Sequence, residues 1–257
     1  MFFSVLASGS KGNACYVETP RTKILVDAGL SCREFLRRLD IKGIVLNDLD
    51  AIILTHEHQD HIKGAGPISR KFDSPVFSTG PTIGMCSRSL GKIGTYNAIN
   101  PGDSFIIGDI EIKTFSKSHD AADPIGMVIS SDGSRLGILT DAGKSTDTME
   151  KHLSGCTAVL LEFNHDPDML ESGPYPFHLK KRIRGPKGHL SNPEAAMLLK
   201  KIADERLGHV ILSHLSEINN SPENALAEAK KALAEIGMHE VAVHVSYQDY
   251  PCPLIEI

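Results

Sequence analysis

The sequence contains no tryptophan, and aromatic residues make up only 5% of the chain, which argues against an aromatic stacking track for single-stranded nucleic acid. Cysteine is also scarce and scattered, so no pair has the spacing of a thiolate metal motif. The odd number and wide spacing predict free, mostly buried thiols in a reducing compartment. The five cysteines are Cys15, Cys32, Cys86, Cys156 and Cys252.

No apolar stretch approaches the ~20 residues that a membrane-spanning helix needs. The first residues lack a basic lead-in, and their apolar run ends too early for a secretion signal. We therefore expect a cytoplasmic protein that does not enter a membrane. The net charge of −5 argues against general binding of nucleic acid by a basic surface, but it is compatible with a local basic groove.

The apolar residues that are present form short strand-like runs with helices between and after them. The runs at 2–7 and 51–55 read as strands, and a turn sequence within 104–115 indicates a hairpin. Capped helical patterns follow at 192–206 and 221–236. With no repeat, linker or low-complexity tract, the pattern predicts one domain, 1–257, in which helices cover sheets.

Four potential metal ligands stand together in the segment AIILTHEHQDHIKG. His56 and His58 follow a buried strand and project to the same side of an extended stretch, whereas Asp60 and His61 lie where the chain turns into a helix. Imidazole and carboxylate are suitable ligands for zinc, manganese or iron, and metal pairs ~3.5–4 Å apart are a known catalytic device. The spacing thus favours a two-metal site over a solvated polar loop, with Glu57 pointing away from the metals.

The pattern His-x-His-x-Asp-His after a buried strand resembles the signature of the metallo-β-lactamase superfamily. The resemblance covers nearly the whole chain. It implies an α/β (α+β) fold of the four-layer αβ/βα sandwich type and a hydrolase with two divalent metal ions, zinc or manganese, with iron as a possible third choice. A hydroxide bridging the two metals would be the nucleophile.

The other superfamily motifs have counterparts along the chain. LVDAG at 25–29 resembles the early motif, whose aspartate, here Asp27, supports the metal loop by hydrogen bonds. SKSHDAADPIG supplies His119, LTDAG supplies Asp141 as the bridging carboxylate, and LSHLS supplies His214, which we prefer to His209 because it follows an apolar strand. The resemblance implies seven metal ligands, namely His56, His58, Asp60, His61, His119, Asp141 and His214.

Within the superfamily, SGSKGN, GPYPFHLKKRIRGPKGHLSN and LSHLSEINN look like the YycJ/WalJ branch, which is associated with exonuclease activity on DNA. The chain is also similar to tRNA 3′-processing endonucleases and small phosphodiesterases of the same fold. In those processing relatives a histidine in a Gly-His-Ser stretch protonates the leaving group and a glutamate orients it. His189 and Glu162 match these positions, and Asp60 would orient the attacking hydroxide.

Several further residues are candidates for binding the substrate, for which DNA is favoured over RNA. The basic run around His189 is either a solvated face or a grip for phosphate, and His165 follows Glu162 closely enough to face the same cleft. The loop SGSKGN adds hydroxyl and amide groups near the metals. The candidate set is Ser8, Ser10, Asn13, His165, Lys181, Arg182 and Arg184.

Three other functions remain open at this point. A hydrolase of carbonyl compounds, such as a lactonase, β-lactamase or thioester hydrolase, would use the same ligands but would not need the basic run. A flavo-diiron oxidoreductase usually has a glutamate where this chain has His58. A non-catalytic binding protein would typically have lost ligands. The native metal, the polarity of digestion and the oligomeric state are not determined by the residues.

Overall fold

The computed structural model describes all 257 residues and contains fourteen strands and nine helices. The strands are β1 (Phe2–Ala7), β2 (Ala14–Glu18), β3 (Lys23–Val26), β4 (Ala51–Ile53), β5 (Val76–Thr79), β6 (Tyr96–Ile99), β7 (Ser104–Ile107), β8 (Ile110–Ser116), β9 (Ile125–Ser131), β10 (Ser134–Leu139), β11 (Ala158–Glu162), β12 (His209–Ser213), β13 (Ala242–Val245) and β14 (Ile255–Glu256). The helices are α1 (Cys32–Ile41), α2 (Gln59–Ile62), α3 (Ala65–Phe72), α4 (Gly80–Leu90), α5 (Asp147–Leu153), α6 (Pro167–Ser172), α7 (Phe177–Ile183), α8 (Asn192–Ile202) and α9 (Pro222–Glu235).

The strands form two seven-stranded sheets, ordered β14-β1-β2-β3-β4-β5-β6 and β13-β12-β11-β10-β9-β8-β7. Buried side chains of both sheets, among them Ile53 and Ile138, pack together in a central apolar layer. A second layer joins α1, α3 and α4 to the first sheet, and a third joins α5, α8 and α9 to the second sheet. The predicted four-layer αβ/βα sandwich is confirmed. Because the central layer draws on both sheets, we keep the hypothesis that 1–257 is one domain.

Parallel pairing brings several loops to one edge of each sheet. β3, β4 and β5 are parallel in the first sheet, and β10, β11, β12 and β13 are parallel in the second. Ligand sites of open α/β sheets lie beyond the carboxyl ends of such strands. Asp27 follows β3, Asp141 follows β10 and His214 follows β12, while Glu162 ends β11. Residues far apart in sequence therefore converge.

The sequence prediction of one helix beginning near His61 was wrong in detail, because the segment forms two helices, α2 and α3. They separate at Gly64, whose backbone N–H leaves the helical pattern and donates to the carbonyl of Ala28 at 2.7 Å. A Cβ at Gly64 would lie 1.8 Å from the carbonyl oxygen of Leu30, so the chain passes too close here for any side chain.

The pattern missed two strands, β5 and β6, and four helices, α4 to α7. The two strands have four residues each, and α6 and α7 have six and seven. Elements this short show too few periods for recognition from hydrophobicity alone. The predicted capping box at the start of α8 is confirmed, since Ser191 and Glu194 each cap the backbone of the other. All five cysteines are free and four are buried, as expected.

None of the nine helices combines the length and the hydropathy that crossing a bilayer would require.

Candidate metal centre

Three histidines meet at one end of the site. The Nε2 atom of His56 lies 3.1 Å from Nδ1 of His58, and Nε2 of His119 lies 3.3 Å from the same atom. A single proton on Nδ1 of His58 cannot form good hydrogen bonds to both of the other nitrogens. Lone pairs of these ring nitrogens therefore point toward a common position. A cation at that point would accept all of them, and ring nitrogens are among the commonest metal ligands in proteins.

A second group lies beside the first and contains Asp60, His61 and His214. Oδ2 of Asp60 is 3.5 Å from Nε2 of His61 and 3.6 Å from Nε2 of His214. Asp141 adjoins both groups: it clusters with His56 of the first, and its Oδ2 lies 3.1 Å from His61 and its Oδ1 3.3 Å from His214 of the second. The structure thus brings all seven predicted ligands into two adjoining clusters.

Asp27 orients two of these histidines. Its Oδ2 accepts a hydrogen bond from Nδ1 of His61 at 2.7 Å and another from the hydroxyl of Thr55 at 2.9 Å. Because the Thr55 proton is used in this way, its oxygen is left to accept from Nδ1 of His56, 3.0 Å away. In both rings Nδ1 is therefore engaged outside the cluster and Nε2 is the nitrogen directed into it, an orientation that carboxylates beside metal-binding histidines commonly impose.

Backbone and amide groups orient two others. Nδ1 of His119 donates to the carbonyl of Gly188 at 3.1 Å. The side chain of Asn164 holds His214, with Nδ2 at 2.7 Å from its carbonyl and 3.2 Å from its Nδ1. The Nε2 of His119 is thereby turned toward His58 and that of His214 toward Asp60 and Asp141, so the atoms that would bind metal are fixed before any ion binds.

The site holds more negative charge than its neutral histidines can balance. Burial opposes ionisation of Asp141, but His214 and His61 keep the pKa of its carboxyl well below the usual range. Burial likewise disfavours the charged form of His214, yet Asp141 and Asp60 raise its pKa to about 10. Buried carboxylates of this kind require cations. Burial opposes the charged form of His61 too, but Asp27 and Asp141 raise its pKa well above the usual value, so both histidines favour the charged form when no metal is bound. Divalent metals would supply the positive charge in place of these protons.

Two buried atoms test whether metals fit. Oδ2 of Asp141 and Nε2 of His214 are buried without a hydrogen-bond partner, although unpaired buried polar atoms are rare and costly. Both are oxygen or nitrogen donors, and both face the clusters. One ion among His56, His58 and His119, and a second among the Asp60 group, with Asp141 shared, would satisfy them. The ligand set stays a prediction, and the donors present fit it.

The backbone is strained at three positions of this site. Asp27, Asp141 and His214 have φ angles of 56°, 53° and 54°, in the left-handed region that side chains other than glycine rarely adopt. Each is the residue at which the chain leaves a parallel strand for a loop, in LVDAG, LTDAG and LSHLS. Such strain persists where the surrounding structure over-determines it, which is typical of functional sites.

Gly29, in the LVDAG turn, supports the ligand loop by close contact. A Cβ there would lie 1.7 Å from the carbonyl oxygen of Asp60 and 2.6 Å from the backbone nitrogen of Asn13. These atoms also hydrogen-bond to each other at 2.7 Å, so neither can move freely.

We expect Gly29→Ala to lower the free energy of unfolding by at least about 3 kcal/mol, since overpacking against backbone cannot relax. For a chain of this size that corresponds to a decrease in Tm of about 10 °C. Gly84→Ala is the matched control, because a Cβ there meets nothing within 4 Å and alanine favours the helix. Thermal unfolding of both variants measures the difference, and equal Tm values would contradict the close contact.

His189 and Glu162 form a pair beside the second cluster. Nδ1 of His189 donates to Oε1 of Glu162 at 2.7 Å, and Oε2 of Glu162 accepts from the backbone of Ala142 at 2.8 Å. Glu162 is fully buried; burial raises its pKa, but His189 outweighs this and lowers it to about 2. The carboxylate is therefore ionised and immobile. With Nδ1 of His189 committed to Glu162, Nε2 is the nitrogen that remains for a substrate.

Two clefts open onto this centre. His189, His214, Ser10 and Arg182 line one, of about 190 Å³. His119 lies in the wall of the other, of about 460 Å³, together with Lys187 and Lys117.

The remaining predicted residues fall into two groups. Ser10 and Arg182 line a cleft, although Arg182 also pairs with Asp120 at 2.6 Å. Ser8 and Asn13 instead hold the metal groups, since the Ser8 hydroxyl accepts from the backbone of His214 at 2.7 Å and Asn13 donates to Asp60 at 3.1 Å.

The other three predicted contacts lie outside both clefts. His165 is buried, with only 3% exposed, and its Nδ1 has no partner. Arg184 pairs with Glu171 at 2.9 Å, and Lys181 is exposed on α7. The alternative late ligand, His209, lies at the start of β12, 3.3 Å from His244, and takes no part in the cluster.

Sequence reasoning missed Thr55, Asn164 and Lys117. Thr55 directly precedes His56, so its position was a usable signal. The amide of Asn164 binds the backbone of the ligand His214, and the ammonium of Lys117 donates to the carbonyl of Thr140, next to Asp141, at 2.7 Å. Neither residue belongs to a sequence motif that would have marked it.

Comparison with known proteins agrees with this geometry. A family model described as the beta-lactamase superfamily domain matches residues 22–214, which is most of the chain and includes all seven predicted ligands. The chain belongs to the metallo-β-lactamase superfamily. Its predicted membership is confirmed.

Among the relatives in this superfamily, exodeoxyribonuclease YycJ of Bacillus anthracis is 39% identical over 92% of this chain and 90% of its own length. Exodeoxyribonuclease WalJ of Streptococcus pneumoniae is 36% identical over 99% of this chain and 97% of its own length. The similarity to the YycJ/WalJ branch read from the motifs is thus confirmed.

Solved structures of the superfamily share the fold. The metallo-β-lactamase fold protein YhfI of Bacillus subtilis has a TM-score of 0.72 and 17% identity, and it covers 98% of this chain and 99% of its own. Zn²⁺-bound PqqB of Methylobacterium extorquens has a TM-score of 0.73 and 16% identity, with the same coverage. At this identity the likeness concerns the fold alone.

Proposed function

We propose that this metallo-β-lactamase superfamily member is a metal-dependent nuclease that removes nucleotides from the ends of DNA. The single observation that carries the reaction type is the Glu162–His189 pair beside a complete set of metal donors. The substrate class is supported by the relatives YycJ and WalJ, which are named exodeoxyribonucleases and match nearly the whole chain.

A pair of divalent cations would neutralise charge on the phosphate and lower the pKa of water, and the donor set suits zinc or manganese, with iron also compatible. The chain's own residues do the rest. Asp60 and Asp141 hold the donor geometry, and Asp60, which is partly exposed, can also accept a hydrogen bond from the attacking water.

The leaving alkoxide needs a proton, and His189 is placed to supply it. His189 lines the cleft, and Glu162 accepts from its Nδ1, which leaves Nε2 as the nitrogen for the substrate. Arg182 in the same cleft and Lys187 near His119 provide positive charge on either side for flanking phosphates. A neutral carbonyl substrate would have no flanking phosphates to use this positive charge.

We also keep the cytoplasm as the proposed location, because the five free cysteines suit a reducing compartment.

The function is tested with protein stripped by a chelator and reconstituted with Zn²⁺ or Mn²⁺. End-labelled linear DNA, single- and double-stranded, should be shortened from an end only when metal is present. Covalently closed circular DNA of the same sequence is the matched control and should remain intact. Protein with two bound metals that leaves every DNA substrate intact but opens a lactone or thioester would contradict the proposal.

A further inference from the structure

A further cavity, of about 260 Å³, adjoins the cleft that contains His189. The two share a wall made by residues 215–217, which directly follow His214 in the chain. Ser8 also lines this cavity, and its hydroxyl holds the backbone of His214. Since neighbouring Cα atoms are 3.8 Å apart, the cavity begins next to a predicted metal ligand. A group bound here would neighbour a phosphate held at the metal centre.

The lining of the cavity disfavours a phosphate. It contains no lysine or arginine and has two carboxylates, of which Glu217 is paired through Oε1 with Lys11 at 2.7 Å and Asp249 is not paired. The start of helix α9 also borders it, but that end is already capped, because Ser221 accepts from the backbone of Asn224 at 3.1 Å and Pro222 has no N–H to offer. The occupant that fits this chemistry is uncharged and carries hydrogen-bond donors.

Two tyrosines add a flat apolar surface to the same cavity. The rings of Tyr247 and Tyr250 stack with centroids 4.4 Å apart and 23° between their planes, and Tyr250 is 52% exposed. Such an exposed ring is suited to stacking with a planar heterocycle.

The loop that carries these rings is held rigidly. The carbonyl of Tyr247 accepts from the backbone of Ser8 at 3.1 Å, and that of Gln248 accepts from the buried guanidinium of Arg38 at 2.8 Å. The Gln248 side chain in turn bonds the backbone of Lys11 and Gly12 at 2.7 and 3.1 Å. A preorganised surface loses little entropy when it binds a ligand.

We propose that this cavity binds a nucleobase of the substrate, namely one that neighbours the phosphodiester at the metal centre. Tyr250 stacks on the base. Asp249 and the Oε2 atom of Glu217, whose Oε1 is bound by Lys11, accept hydrogen bonds from the N–H groups of the base. The site thereby selects substrates with a base at this position. This inference rests on the proposed nuclease function.

The test compares Tyr250→Ala with the wild type, both reconstituted with metal, on a short single-stranded oligodeoxynucleotide and on bis(p-nitrophenyl) phosphate, which has no base. We expect KM for the oligonucleotide to rise about 5- to 100-fold, beyond any change with the chromogen, because stacking on an aromatic side chain contributes on that scale. Tyr250→Phe, which keeps the ring, should restore most of the affinity. Ile106→Ala, which removes an exposed side chain of the edge strand β7, is the control and should match the wild type on both substrates.

An abasic scan completes the test. An abasic site at the residue that neighbours the scissile bond should weaken binding by the wild type and cause no further loss in Tyr250→Ala, because both changes remove the same contact. Equal KM values for wild type and Tyr250→Ala, or an abasic penalty that persists in the variant, would overturn the inference while leaving the nuclease intact. The inference would also be overturned if the KM of Tyr250→Ala changed with the presence of a terminal phosphate on the oligonucleotide and not with the presence of the base. A wild type that cleaves the chromogen but no DNA would instead refute the nuclease function.

Discussion

Asp141→Asn is expected to abolish stable binding of a metal pair and to lower cleavage of DNA by at least about a hundredfold. Changes that only touch a metal ligand indirectly cost 10- to 100-fold in affinity or activity, so loss of a shared ligand should cost no less. Asp141 is the carboxylate that adjoins both groups, because it clusters with His56 of the first group and lies 3.1 Å from His61 and 3.3 Å from His214 of the second. Asparagine has one oxygen, and its amide would direct hydrogen atoms at a cation.

The experiment on Asp141 has a close control in Asp132→Asn. Asp132 has the same backbone conformation, with φ of 49° against 53°, but lies exposed in the turn between β9 and β10. Asparagine adopts this conformation readily, so neither variant should strain the chain further. Elemental analysis counts bound metal, and circular dichroism verifies folding. Two metals and full activity in Asp141→Asn would contradict the shared-ligand assignment.

The second large effect concerns His189→Ala. We expect turnover of DNA, whose leaving group is a poor alkoxide, to decrease about 10²- to 10⁴-fold, because that is the usual contribution of general acid catalysis. Cleavage of bis(p-nitrophenyl) phosphate should decrease far less, since nitrophenolate leaves without a proton. Metal content should be unchanged, because Nδ1 of His189 is already bound to Glu162 at 2.7 Å.

Comparing the loss of activity on the two substrates shows whether His189 acts as a general acid or as a metal ligand. His189 and Glu162 also stand near enough to Asp141 and His214 to hold an ion, so a ligand role would lower metal content and both activities together. His239→Ala, in an exposed loop, is the control for removing an imidazole. Equal losses on both substrates, or loss of metal, would contradict the acid role.

The fold and its central ligands were predictable because their signals are local. His56, His58, Asp60 and His61 follow one buried strand within a few residues, and apolar runs with capped helices mark most of the other elements. A ligand loop at a strand end needs only a short stretch of sequence to be recognised. The short elements β5, β6, α6 and α7 give weaker local signals, and they were missed.

The distant ligands were found through resemblance, and the residues that orient them were not found reliably. Asn164 and Ser8 hold His214 from positions 50 and 206 residues away. Asn13, expected to contact substrate, instead donates to Asp60. The sequence around a hydroxyl or amide in a loop does not indicate which distant residue that group will contact in the fold.

The sequence by itself determined the class of chemistry, because imidazole and carboxylate at strand ends define a cation site whatever surrounds them. Only the tertiary structure decided which nitrogen of each ring faces that site, that Asp141 adjoins two clusters, and that Tyr247 and Tyr250 border the cavity beside it. The reason is physical. The type of each residue determines which atoms can bind a cation, but the tautomers of the histidines, the distances between ligands and the residues shared by neighbouring cavities arise only when two sheets and their loops pack against each other.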